Sequence, residues 1–555
     1  MVRAGVLGVS PASLPGVKTR GGALAAVGAL GYVSAAQLEG GVPVDWTSGY
    51  VADVDYSYGY YRELHPGLLR LACLYAGIAA PAAQPLHYLE LGYGRGLSLN
   101  IHSAANDGVF WGTDFNPNHA VEAHSLAAAS GSGVQLLDQS FAELAARTDL
   151  PEFDIIGLHG IWSWVSPENR NHMVDVIRRR LKHGGLVYIS YNCFPGWAPA
   201  EPLKHLIGLH GEFAGSEAAG SIGKLDVALK FAREVVDAGA LYFKQNPAVV
   251  RRLESLSTVD RNYAAHEYFA HDWHLMSFSD VARILGEAKL SFAASAHLLD
   301  HIDAVNIDAE GLKLLNGLQD AVLKQSVRDY LVNTQFRRDV FVKGPRRLTA
   351  LERTEAMQGM SFVLSTHPDN VPSTISGPRG QATLQERIYK PLLNALAENH
   401  HEPKTLIRLF GHPWLQTIGR SDIMEALVIL ASTNHVYPTQ TPSAATRAQC
   451  KAFNRAVYAR ARNNADVQYL ASPVTGTGIS VGRMEQLFLT ALDAGKRTPA
   501  EQAQHAWETL SRQNQLLVKE GKALPTPAEN IAELTRLAQL FQDTRLVGFR
   551  ALEIA

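Results

Sequence analysis

Five short apolar runs separated by helix-like stretches occupy residues 86–192, and this alternation restricts the chain more than any other feature. LHYLELG (86–92), VFWGTDF (109–115), VQLLDQS (134–140), FDIIGLHG (153–160) and LVYISYN (186–192) read as strands. LSLNIHSAAN (97–106), HAVEAHSLAAAS (119–130) and RNHMVDVIRRRLKHGG (170–185) read as helices, the last ending in glycines as a C-cap does. Strands joined by helical crossovers pair in parallel, and a parallel sheet is covered on both faces. The expected fold class is α/β, a doubly wound Rossmann-like sheet.

The first strand runs into a glycine turn, LELGYGRGLSLN (89–100). A dinucleotide fingerprint is spaced G-x-G-x-x-G. Here Gly92, Gly94 and Gly96 form G-x-G-x-G, with Leu97 where the third fingerprint glycine would stand. Glu90, two residues before Gly92, would repel a pyrophosphate and attract a cation. Asp114 ends the second strand, where an acid can hold both ribose hydroxyls. It can also cap the helix after Asn116-Pro117, and the two roles are compatible. Asp138 ends the third strand, where a carboxylate can accept from an adenine amino group. A ligand with adenosine, a positive centre and no phosphate is S-adenosylmethionine. Tyr93, Phe115, Ser140 and His159 adjoin these strand ends and complete the expected cofactor contacts.

An E-L-G-x-G-x-G turn with acids at the next two strand ends resembles the class I methyltransferases. A narrower resemblance rests on DWTSGYVADVDYSYGYYRELHP (45–66), LHGIWSWVS (158–166), SYNCFPGW (190–197), AAHEYFAHDWHLMSFSDVA (264–282) and FRRDVFVKG (336–344). These look like bacterial methyltransferases that carry a methyltransferase regulatory domain, the rickettsial outer-membrane-protein lysine methyltransferases among them. The match runs from about residue 45 to the C-terminus and is strongest over 45–345. It implies a catalytic domain with a helical middle portion, a C-terminal domain, a possible homodimer and protein lysine methylation.

Downstream, KLDVALKFAREVVDAGALYF (224–243) and FSDVARILGEAKL (278–290) are helical patterns. LSFAASAHLL (290–299) and RRDVFVKG (337–344) are strand-like and can close the same sheet, with the helices between as an insertion. MSFVLST (360–366) is strand-like, and HPDNVPSTISGPRG (367–380) reads as a loop or linker. TLQERIYKPLLNALAEN (383–399), SDIMEALVILAST (421–433) and AENIAELTRLAQLFQDT (528–544) read as helices of a mainly helical C-terminal domain. The expected organisation is a methyltransferase core over 46–200 and a helical regulatory region with sheet-closing strands over 201–345. A strand and linker over 346–382 and the C-terminal domain over 383–555 follow.

Residues 1–45 need separate treatment. Arg3, Lys18 and Arg20 precede GGALAAVGALGYVSAA (21–36), with no acid before Glu39 and a small-residue site at Val33-Ser34-Ala35. That outline resembles a secretory signal. Its apolar part is rich in Gly and Ala and poor in Leu, which favours a disordered extension or an early start codon, with the folded chain starting near Trp46.

Composition excludes several classes. A net charge of -2 argues against a nucleic-acid binder. No run of roughly 18 apolar residues occurs, so no membrane span is expected. Cys73, Cys193 and Cys450 lie far apart, which disfavours zinc knuckles and disulfides and suits a reducing, cytoplasmic setting with buried, inert thiols.

Methyl transfer is an in-line displacement for which the protein supplies position and a dry cavity. A lysine nucleophile must first lose a proton. In doubly wound sheets ligands sit at the carboxyl ends of the strands. His159 closes the fourth strand, with Trp162 and Trp164 just after it, and Asn192 closes the fifth. Trp162, Trp164, Tyr58, Tyr60 and Tyr61 can form an aromatic channel for an amine, or equally core and lid packing. The expected catalytic residues are His159, Trp162, Tyr60 and Glu267, and the expected substrate contacts Tyr58, Trp164, Asn192 and His266. Glu267 can equally cap a helix or pair with an arginine. His271, Asp272 and His274 in HDWH are not taken as a metal site, since the reaction needs none. The readings left open are a protein lysine methyltransferase, a methyltransferase acting on a small molecule or glycan, and a non-catalytic cofactor-binding regulatory protein.

Overall fold

The central sheet is built from β1 (Leu86–Leu91), β2 (Gly108–Asp114), β3 (Gln135–Asp138), β4 (Phe153–Leu158), β5 (Leu181–Asn192), β6 (Leu290–Ser295) and β7 (Phe336–Lys343). Their spatial order is β3-β2-β1-β4-β5-β7-β6. The first five pair in parallel, and β7 lies antiparallel between β5 and β6. The chain thus turns from one half of the sheet to the other at the boundary between β1 and β4, the switch point where such sheets bind ligands. The structure is a computed structural model that describes residues 53–54, 58–81 and 84–555, apart from the Glu217 side chain. The expectations for residues 1–45 lie outside the described residues.

Helices α1 (Pro66–Tyr75), α2 (Leu97–Ala105), α3 (Pro117–Ser130), α4 (Phe141–Ala146) and α5 (Pro167–Arg180) accompany the parallel strands. Five of the six β1 residues are buried, as expected of a strand covered on both faces. Between β5 and β6 lie α6 (Glu201–Ala214), α7 (Gly220–Asp237), α8 (Leu241–Gln245), α9 (Pro247–Ser255), α10 (Arg261–Phe269) and α11 (Phe278–Gly286). Most of this insertion shares a small core of its own, including Leu203, Leu225, Phe243 and Leu253.

Three local expectations are corrected. The helix expected over 170–185 stops at Arg180, because Leu181 is extended and pairs with Phe153, so 181–185 begin β5. Sheet pairing outweighs the C-cap composition there. The helix expected over 224–243 breaks at Gly239, whose φ of 78° is left-handed, and splits into α7 and α8. The 367–380 segment is no linker: Thr374–Gly377 pairs antiparallel with Gly380–Thr383, and Arg379 N donates to Val305 O.

The C-terminal part includes a small sheet with Ser361–Leu364 at its centre and helices such as Ala444–Ala461 and Pro527–Thr544. Leu97, Ile101 and Ala104 of α2 and Leu126 of α3 share one core with Phe453, Leu470 and Phe488. The helices that follow the glycine turn are therefore covered by C-terminal residues. All three cysteines are buried. Among the described residues no helix is long and apolar enough to cross a membrane.

Candidate functional site

The glycine turn joins β1 to α2 at the switch point. Gly96 is the N-cap of α2 at φ 72°, and a Cβ there would meet the Ala123 Cβ of α3 at 2.5 Å. It serves the close helix packing that a dinucleotide fingerprint gives to its third glycine, one position later. Gly94, at φ 56°, has nothing within 4 Å of a Cβ position, so its outer side is open to a ligand. Its N–H donates to Asp114 Oδ2 at 2.8 Å. Asp114 Oδ1 accepts from Asn116 N at 3.0 Å and faces His119 Nδ1 at 3.1 Å. Asp114 therefore braces the turn and keeps about one of its four acceptor positions for a ribose hydroxyl. Asn116, not Asp114, caps α3.

Glu90 is 3 % exposed, and its Oε2 has no hydrogen-bond partner among the described residues. Burial, and after it the Asp114 charge, push its carboxyl up to about 8. A buried carboxyl with an unsatisfied oxygen is a receptor for a cation. Cofactor affinity is expected to rise with pH towards about 8 and level off above, because a cationic centre binds the ionised carboxyl. The protein without cofactor has the opposite sign. Its raised carboxyl holds a proton that unfolding releases, so its stability falls as pH rises from about 4.5 to about 8. Glu90→Ala or Asp114→Ala should weaken cofactor binding by about 1–3 kcal/mol. Calorimetry across pH checks both, and a flat pH dependence in the wild type would remove Glu90 from the site.

At the carboxyl end of β4, His159 stacks on Tyr61 with ring centroids 3.8 Å apart. Its Nδ1 lies 2.7 Å from the Tyr188 hydroxyl. Burial lowers the imidazole to about 4, so it is neutral at pH 7. Glu63 lies near His159 and pairs with Arg338 at 2.9 Å. Asn192, at the end of β5, has a buried Nδ2 with no partner among the described residues.

Beyond β4 and β5 the insertion brings a second group together. Lys204 of α6, 8 % exposed, has its Nζ 5.3 Å from the Trp273 ring centroid and 5.7 Å from that of Trp164. Both distances are in cation–π range. Burial lowers this ammonium to about 8, with Glu267 acting the other way. Glu267 of α10 is raised to about 7 by burial, against a hydrogen bond from Tyr263 and the charges of Lys204 and Arg252. Burial, and after it the Glu267 charge, raise the Tyr263 hydroxyl.

Several expected site residues are used elsewhere. Trp162 is fully buried in the core with Leu91, Leu158 and Met173, and its Nε1 has no hydrogen-bond partner among the described residues. The Tyr60 hydroxyl bonds Thr477 Oγ1 and accepts from Gly478 N at 2.9 Å, which fastens it to a C-terminal hairpin. The Tyr93 side chain is buried and its hydroxyl donates to Leu137 O at 3.1 Å, so its backbone is what remains in the turn. Ser140 caps α4 in a reciprocal box with Glu143. Tyr58 bonds Glu122 and lies under Arg95 of the glycine turn at 3.9 Å, bracing that turn. His266 is buried with Nε2 3.0 Å from Val54 O. Asp138 stands exposed at the end of β3, and Phe115 follows Asp114, both beside the turn. Lys204, Tyr263 and Trp273 escaped the sequence reading. For Lys204 a signal was present: it sits among Leu203, Ile207 and Gly211 on the buried stripe of α6.

Residues 260–343 match a family profile described as a predicted methyltransferase regulatory domain. The chain is 38 % identical over 506 residues to an uncharacterized protein of Synechocystis, sll1526, across 90 % of this chain and 98 % of that one. The chain belongs to the same family as sll1526. A more distant relative of this family member, the uncharacterized Rickettsia prowazekii protein RP789, is 22 % identical over 318 residues, 57 % of this chain and 56 % of its own. Among solved structures, PKMT2 from Rickettsia typhi in complex with AdoHcy superposes with a TM-score of 0.65. It is 17 % identical and covers 90 % of this chain and 100 % of its own. The family member shares the fold of the class I methyltransferases, the class whose cofactor is S-adenosylmethionine. The unsatisfied Glu90 oxygen and the open side of Gly94 fit that cofactor.

Proposed function

We propose that the protein methylates lysine side chains of proteins, with S-adenosylmethionine as methyl donor. One observation carries the choice of lysine: the Trp164 and Trp273 faces already hold an alkylammonium, that of Lys204, and its charge acts on Glu267, a carboxyl at about 7. The similarity to PKMT2 agrees with this reading. Glu90 and the glycine turn would hold the cofactor, which supplies a sulfonium methyl open to in-line attack. Trp164 and Trp273 attract the incoming ammonium, and Glu267 takes its proton so that the nitrogen has a lone pair. His159, at about 4, is the weaker base by three pH units, about 4 kcal/mol in proton affinity. It therefore serves as a neutral hydrogen-bonding wall.

The test is label transfer from tritiated S-adenosylmethionine to host lysate, split into protein and small-molecule fractions. Label in protein that survives base and vanishes when lysine amines are blocked beforehand supports the proposal. Label confined to small molecules or glycans replaces it with that substrate class. Cofactor binding without any transfer points to a regulatory binder.

A further inference from the structure

A cavity of about 370 Å³ lies where the start of α1 and the end of α2 meet C-terminal residues. Pro66, Gly67 and Arg70 line it from α1, Gln84 from the approach to β1, Asn106 from the end of α2 and Thr475 from the C-terminal part. Glu90, Asp114, His159 and Glu267 do not line it, and neither does any other carboxylate among the described residues.

The chemistry of the lining is one-sided. Arg70 is half-buried and makes no ion pair or hydrogen bond among the described residues. Burial alone lowers its guanidinium, with no acid opposing it. A guanidinium stays charged in a protein, so a desolvated one calls for a counter-charge. Thr475 is 2 % exposed and its hydroxyl has no partner among the described residues, and the buried Gln84 Nε2 has none among them either. The carbonyl of Thr475 lies 2.8 Å from His65 Nε2, which fixes this residue against the start of α1. That helix has ten residues, Pro66 in its first turn and no side-chain cap from His65. Its N-terminal N–H groups add positive potential.

We propose that this cavity binds a small molecule by an anionic oxygen group, a phosphate or a carboxylate, held by Arg70, the Thr475 hydroxyl and the Gln84 amide at the start of α1. The volume exceeds that of one such group, so the remainder of the ligand lies against Thr439, Gln440 and Thr441. The site spans the methyltransferase core and the C-terminal part, so the ligand touches both.

The experiment titrates inorganic phosphate and, separately, malonate into the full chain by calorimetry. Saturable binding of either is expected, and the tighter of the two names the group. Arg70→Gln should weaken it at least about ten-fold, the scale of a lost charge-assisted hydrogen bond. Thr475→Val should weaken it less, and S-adenosylmethionine affinity should be unchanged in both variants. No binding of either anion at millimolar concentration, or equal binding by Arg70→Gln, overturns the proposal. If Arg70→Gln does not fold, Thr475→Val decides, because it loses only the hydroxyl.

Discussion

Glu267→Gln is expected to lower kcat by about 10²–10⁴-fold, the usual contribution of a positioned general base, with S-adenosylmethionine affinity unchanged. Wild-type kcat should rise with pH through a limb near 7, because only the ionised carboxyl accepts the ammonium proton and burial has raised it to about 7. The limb should vanish in Glu267→Gln. Lys204→Met should move it to higher pH, since the Lys204 charge pulls the carboxyl down. Methyl-transfer kinetics on the labelled protein substrate, from pH 5.5 to 9, give all three results. A Glu267→Gln enzyme with wild-type kcat would falsify the assignment of the base and leave the lysine reading without its main support.

The second large effect concerns stability. Arg337 lies between buried acids: its Nη1 is 2.7 Å from Asp329 Oδ1 and its Nε 2.8 Å from Asp339 Oδ2. The Tyr191 hydroxyl donates to the same Asp339 oxygen at 2.7 Å, and the guanidinium lies 4.3 Å from the Phe278 ring centroid. Burial opposes its charge, but Asp339, Tyr191 and Asp329 together hold it well above its ordinary value. Burial pushes both aspartates up against the pull of Arg337. Arg337→Met leaves two neighbouring carboxyls buried without their cation and should destabilise the fold by about 3–5 kcal/mol.

The sign of its pH dependence follows. In the variant the folded aspartates titrate above their unfolded value near 3.8. Their cost is absent in acid and grows as pH rises through the folded value. Denaturant unfolding at pH 4 and pH 7 should therefore show the larger loss at pH 7. Equal losses at both would mean that packing on Phe278, not charge, is what Arg337 supplies.

The FRRDVFVKG motif illustrates how far the sequence reaches. Its alternation made β7 visible, and its neighbour β6 was legible in the same way. That Arg337 grips an aspartate eight residues upstream and another two residues downstream was not. In the same manner Glu90 and the glycine turn were readable because strand, turn and helix are contiguous, so spacing alone fixes where each residue falls. Tyr60 and Trp162 show where such reading stops. An aromatic near a strand end looks alike whether it faces a ligand or a neighbouring element. For Tyr60 the answer came from Thr477 and Gly478, more than four hundred residues away.

By itself the sequence determined the parallel core, the sheet-closing pair and the glycine turn at the switch point, because hydrophobic period and glycine spacing are local properties of the chain. Only the tertiary structure decided which groups are desolvated together. Lys204 on α6, Glu267 on α10 and Trp164 after β4 are unremarkable alone. Burial in one place gives the carboxyl and the amine shifted values of about 7 and about 8, and no spacing rule encodes that environment.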